Sequence, residues 1–106
     1  PHIPQYSSTQ ALMPEVRFEV RWPDDSTSLC YSPSSTIRDY FKPGEPYPLK
    51  DFVRISQTAL NHASERVRQR YGYACSSAAQ QLSEIERRAT HFESTANATV
   101  TVLRFS

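Results

Sequence analysis

The residues best equipped for chemistry lie between Cys30 and Leu49, in CYSPSSTIRDYFKPGEPYPL. Cys30 stands beside Tyr31, and Arg38-Asp39-Tyr40-Phe41 places a cation, a carboxylate and two aromatic rings before a Lys42-Pro43-Gly44 turn, with Tyr47 just beyond. Charged groups interleaved with aromatic surface suit recognition, so Cys30, Tyr31, Arg38, Asp39, Tyr40, Phe41 and Tyr47 are the candidate binding residues. The competing role is structural: Tyr40 and Phe41 complete the core, while Arg38 and Asp39 satisfy loop backbone groups or each other. Residue types alone favour that internal clasp, with a pocket lined by the same side chains as the alternative.

No catalytic residue is assigned. A nucleophilic Cys30 would need a base or cation to lower its pKa, and Arg38, His62 or His91 could reach it only through the fold. The sequence around Cys30 carries no cysteine-enzyme signature, so packing is the better role for it and for Cys75. His62 and His91 fall on different expected helices, and no Cys or His pair has the close spacing of a metal site; neither metal nor cofactor is expected. Arg66, Arg68 and Arg70 could meet Arg87 and Arg88 to hold an anion, but solvated helix charges explain them more simply. Glu84 and Arg88 have the spacing of a surface ion pair.

These residues must be positioned by a small set of elements. Val16, Phe18, Val20 and Trp22 alternate with Glu15, Arg17, Glu19 and Arg21, the pattern of a half-buried strand. Pro23-Asp24-Asp25-Ser26 supplies a turn, after which Leu29 and Tyr31 face opposite to Ser28, Cys30 and Ser32, giving a β-hairpin. Prolines 33, 43, 46 and 48 make Lys42 to Tyr47 an extended, stiff loop and leave room for only a short helix within Ser35 to Tyr40. Pro48 can occupy a first helical turn. Leu49, Phe52, Val53, Ser56, Ala59, Leu60, Ala63, Val67 and Tyr71 then form a helical stripe, which Gly72 terminates.

A second helix should begin near Ala74 to Ser77, with Cys75, Ala78, Ala79, Leu82, Ile85, Ala89 and Phe92 as its apolar stripe. Thr99 to Phe105 reads as a last strand, with Val100 and Val102 on one face and Leu103 and Phe105 on the other. The order β-β-α-α-β implies an α+β domain over residues 13–106, in which an antiparallel helix pair covers one face of a three-stranded sheet. Ile55 lies off the main stripe and the sheet has open edges, features that allow a homodimer. Pro1 to Leu12 reads as a disordered leader or expression-tag remnant, because Met13-Pro14-Glu15 resembles a natural start.

The totals narrow the function classes. The chain has 106 residues, with 12 basic and 11 acidic side chains giving a net charge of +1. That balance provides no general attraction to nucleic acid or anionic membrane. No apolar run approaches the roughly 18 residues of a membrane span, and no secretion signal is visible, so a cytoplasmic location and two reduced thiols are expected.

Several segments together resemble one family: Met13-Pro14-Glu15-Val16-Arg17-Phe18, Arg21-Trp22-Pro23-Asp24, Cys30-Tyr31-Ser32-Pro33-Ser34, Asp39-Tyr40-Phe41, Tyr47-Pro48-Leu49, Ala63-Ser64-Glu65-Arg66-Val67-Arg68 and Tyr71-Gly72-Tyr73-Ala74-Cys75-Ser76. The chain is similar over nearly all of Met13 to Phe105 to the small bacterial nitrogen-starvation-response proteins whose genes accompany a nitrilase. That resemblance implies a place in nitrogen metabolism, in nitrile or cyanide assimilation, but transfers no catalytic residue. Association of genes is a weaker warrant than a site. The expected function is a non-enzymatic accessory protein that uses the 30–49 surface to bind an enzyme of the nitrilase cluster or a small metabolite. The alternative is a small enzyme acting on a nitrogen-containing intermediate through Cys30, Asp39 or Tyr40. A nucleic-acid-binding regulator would require a continuous basic surface.

Overall fold

The computed structural model describes residues 15–72 and 76–106. The expected leader and Cys75 lie outside them. Strand β1 (Val16–Arg21) buries Val16, Phe18 and Val20 on one face, and Trp22 continues that face just past its end. The Asp24 side chain shapes the hairpin turn by accepting a hydrogen bond from the Ser26 amide at 3.0 Å, and Asp25 takes a positive φ of 68°. Strand β2 (Thr27–Ser32) returns antiparallel, pairing Phe18 with Cys30 and Arg17 with Tyr31. Its inward face is the small, polar one. Cys30 and Ser32 are buried, whereas Leu29 is 67% exposed.

Beyond β2, Ser34 caps a 3-10 turn (Ser35–Asp39) by accepting from the Thr36 amide at 3.3 Å. Strand β3 (Pro46–Pro48) leads into helix α1 (Leu49–Tyr71), which Gly72 closes in the left-handed conformation at φ 80°. Its amide donates to the Arg68 carbonyl at 2.7 Å, the bond expected of a left-handed helix cap. Helix α2 (Ser76–Thr90) follows, then strand β4 (Thr99–Phe105). The sheet has four strands in the order β2-β1-β4-β3, all antiparallel, rather than the three expected. The added strand was hidden by its prolines: Pro46 and Pro48 flank Tyr47 on an edge, where a missing amide costs no ladder bond.

A second departure lies in β4. The register shifts between Glu19 and Val20, so Val102 pairs with Val20 whereas Phe105 pairs with Phe18. The bulge changes the alternation and returns Phe105 to the face of Val100 and Val102. Its ring consequently lies 6.4 Å from that of Phe18. On the other face Arg104 pairs with Glu19.

The helices lie antiparallel, as Gln57 near the start of α1 donates to Glu86 near the end of α2 at 2.9 Å. Phe52, Ala59 and Leu60 from α1 and Ala78, Ile85 and Ala89 from α2 join the inward sheet residues in one core. Each large side chain buried there contributes about 1.5–3 kcal/mol of transfer free energy. Ala79, expected on the α2 stripe, is exposed, and Ile55 is half-buried against the core.

Candidate functional site

The 30–49 segment divides between anchors and outward groups. Ile37 and Phe41 are buried, and Phe41 packs 5.2 Å from Phe52 and edge-on to Tyr47 at 5.4 Å. The Tyr47 hydroxyl accepts from the Lys42 amide at 2.8 Å. Lys42-Pro43-Gly44-Glu45 forms a turn closed by Glu45 N–H donating to Lys42 C=O at 3.2 Å, while the Gly44 amide reaches the Val102 carbonyl at 2.8 Å. Gly44 has φ 84°, which explains glycine at the third position of this proline-led turn. Ser32 Oγ donates to the Ser34 carbonyl at 2.8 Å, securing the start of the segment.

Between the anchors, Arg38 and Asp39 are exposed and Tyr40 is half-buried. The Arg38 guanidinium lies 5.7 Å above the Phe105 ring. The Tyr40 hydroxyl and His62 Nδ1 are hydrogen-bonded at 2.9 Å, the hydroxyl donating when Nε2 carries the imidazole proton. Anchors four residues apart therefore present three polar side chains beside α1 and the end of β4.

The remaining candidate residues lie elsewhere. Tyr31 is on the outward sheet face, where its hydroxyl donates to Glu15 at 3.2 Å. Cys30, its neighbour on a strand, points the other way and is buried. Burial, with a smaller contribution from the Glu84 charge, pushes its thiol up to about 12, opposite to the shift that activates a nucleophile.

Cys30 borders a cavity of about 270 Å³ between β2 and α2, shared with Trp22, Ser28, Glu84, Arg88 and His91. The Trp22 indole donates to Ser28 Oγ at 2.9 Å, and Gln81 Oε1 accepts the Tyr31 amide at 2.9 Å, tying α2 to the sheet edge. The expected Glu84–Arg88 pair does not form. Arg88 instead donates to Ser26 Oγ, with Asp24 Oδ2 3.9 Å away, and its guanidinium carbon lies 5.9 Å from both the Trp22 and Phe92 ring centroids. Those stacked rings, 6.0 Å apart, draw the cation towards the hairpin turn. Ser26 hydrogen bonds, with a smaller Arg88 attraction, hold the Asp24 carboxyl below its ordinary range. Arg88 Nε is buried and has no hydrogen-bond partner among the described residues.

Sequence reasoning missed this cavity because its residues come from distant segments. One signal was present: Gln81, Glu84, Arg88 and His91 form a polar stripe at helical spacing beside the apolar face of α2. The arginines do not gather into an anion site, since Arg68 is paired with Glu65 on α1 and Arg88 with the hairpin turn. Among the described residues, no three His, Cys, Asp or Glu side chains converge as a metal site, and no helix is long and apolar enough to cross a membrane.

No curated protein and no solved structure matches this chain. The family model for nitrogen starvation-induced protein NitG matches residues 17–105, and the chain belongs to that family.

Proposed function

We propose that this member of the nitrogen starvation-induced family is a non-catalytic accessory protein that docks on an enzyme of a nitrilase pathway through Arg38, Asp39 and Tyr40. The observation that carries the reading is the placement of these groups between the buried anchors Ile37 and Phe41. A recognition surface held by its own core loses little conformational freedom on association, which leaves more of the contact energy for affinity. Family membership supports the nitrogen-starvation context, and the nitrilase link comes from the sequence resemblance. The opposing enzyme reading, with Cys30 as nucleophile, runs against a thiol that is buried and held protonated.

The test is affinity capture from nitrogen-starved cells containing the cluster proteins, followed by mass spectrometry. Wild type should retain a cluster enzyme stoichiometrically. The combined Arg38→Ala, Asp39→Ala and Tyr40→Ala variant should lose it while keeping the helical circular dichroism. A retained metabolite without a protein partner would overturn the docking role in favour of a carrier or an enzyme.

A further inference from the structure

The β2–α2 cavity lies away from the docking residues and carries its own chemistry. At about 270 Å³ it lies just below the usual range of ligand pockets, a size that limits it to a small molecule. Its lining sets one carboxylate, Glu84, against the guanidinium groups of Arg87 and Arg88, so both signs are present. Glu84 and Arg88 stand one turn apart on α2, where they could neutralise each other, yet Arg88 is held at the hairpin turn by Ser26 and the stacked Trp22 and Phe92 rings. Glu84 forms no ion pair with another described residue and lies near enough to Cys30 to raise its pKa. Arg88 Nε, meanwhile, remains a buried donor without an acceptor among the described residues. That atom is closed off from the cavity, so a ligand meets the guanidinium through the part of the side chain that is exposed, 40% of it.

We infer that this cavity binds a small zwitterion of the free amino-acid class, its carboxylate on the exposed edge of the Arg88 guanidinium and its ammonium on Glu84. Leu29, 67% exposed and part of the lining, offers the apolar surface against which the ligand's aliphatic part lies. A dicarboxylate would repel Glu84, and a simple cation would repel Arg88. The neutral Cys30 thiol adds no competing charge.

Trp22 is the chain's single tryptophan and lines the cavity, so its fluorescence and indole N–H resonance report occupancy directly. The common L-amino acids are titrated one at a time to millimolar concentration. Each amino acid that binds is then compared with its N-acetyl derivative, which lacks the ammonium, and its amide, which lacks the carboxylate. At least one free amino acid should shift the Trp22 signals saturably, with both derivatives binding at least about tenfold more weakly, the equivalent of 1.4 kcal/mol. Glu84→Gln, at an exposed position with no ion pair to lose, should weaken the free amino acid while leaving its N-acetyl form unchanged. Arg88→Gln should weaken the free acid more than the amide, and its melting temperature separates this effect from disturbed stacking on Trp22. No saturable response to any amino acid, or equal affinity for a binding amino acid and both derivatives, would overturn the inference. So would a Glu84→Gln protein that binds the free acid as wild type does.

Discussion

The two flanks of the sheet treat their polar groups differently. Beside β3, the folded-over loop finds partners for its backbone at nearly every step: Tyr47 for Lys42, Val102 for Gly44, Lys42 for Glu45 and Ala98 for Leu49. Beside β2, Gln81 meets the Tyr31 amide, but among the described residues Arg88 Nε has no acceptor and the Glu84 carboxylate has no ion-pair partner. A flank whose backbone is satisfied in this way acts through Arg38, Asp39 and the half-buried Tyr40, although the buried Thr36 hydroxyl there has no partner among the described residues. A flank that leaves charge unmatched around a cavity can take a ligand inward. On the proposed reading, the same small sheet separates a docking face from a recess.

Phe41→Ala should break the self-satisfied flank most severely. It removes the ring packed on Phe52 and Tyr47 and should cost about 3–5 kcal/mol, read as a lower denaturant midpoint and loss of partner docking together. If Phe41 served only the surface, docking would disappear without the loss of stability.

Cys30 sharpens the contrast through pH. Its thiol titrates near 9 when unfolded and about 12 when folded, so between these values the unfolded chain has released a proton that the folded one retains. Stability from this group is fully present below about pH 9 and is lost as pH rises towards 12. Urea melts across that window should therefore show a decline that Cys30→Ala lacks, and alkylation of native Cys30 at neutral pH should be much slower than in denaturant.

Gly44→Ala is a finer probe of the loop. Beyond the adjoining residues, nothing lies within 4 Å of the added methyl group, so the penalty is that of a left-handed alanine, about 1–2 kcal/mol in the same melts. Ser56→Ala, in the shared core, should have the opposite sign. The Ser56 hydroxyl is buried without a partner, and its removal should raise stability by up to about 1 kcal/mol.

Much of this architecture was legible because single elements carried their own pattern. The alternation of Val16, Phe18, Val20 and Trp22 placed β1 and its buried face, and the stripe from Leu49 with Gly72 at its end placed α1. The internal clasp weighed for Tyr40 and Phe41 is present at both, with Phe41 buried and Tyr40 packed against the core while its hydroxyl meets His62. What escaped sequence reading depends on partners distant in the chain. Pro46 and Pro48 looked hostile to a strand until β4 was there to make theirs an edge. The Glu19/Val20 register shift reversed the facing of Phe105, and Arg88 left the expected Glu84 pair for two rings brought from Trp22 and Phe92. Spacing along one helix contains none of that information.

The proposed docking role is tested most directly by mixing the purified chain with a purified nitrilase and the enzymes encoded beside it, then measuring complex formation by sedimentation. Wild type should form a stoichiometric complex with one of them, and the Arg38→Ala, Asp39→Ala, Tyr40→Ala variant, melting at the wild-type temperature, should not. A complex untouched by those substitutions, or none with any enzyme of the cluster, would contradict the account.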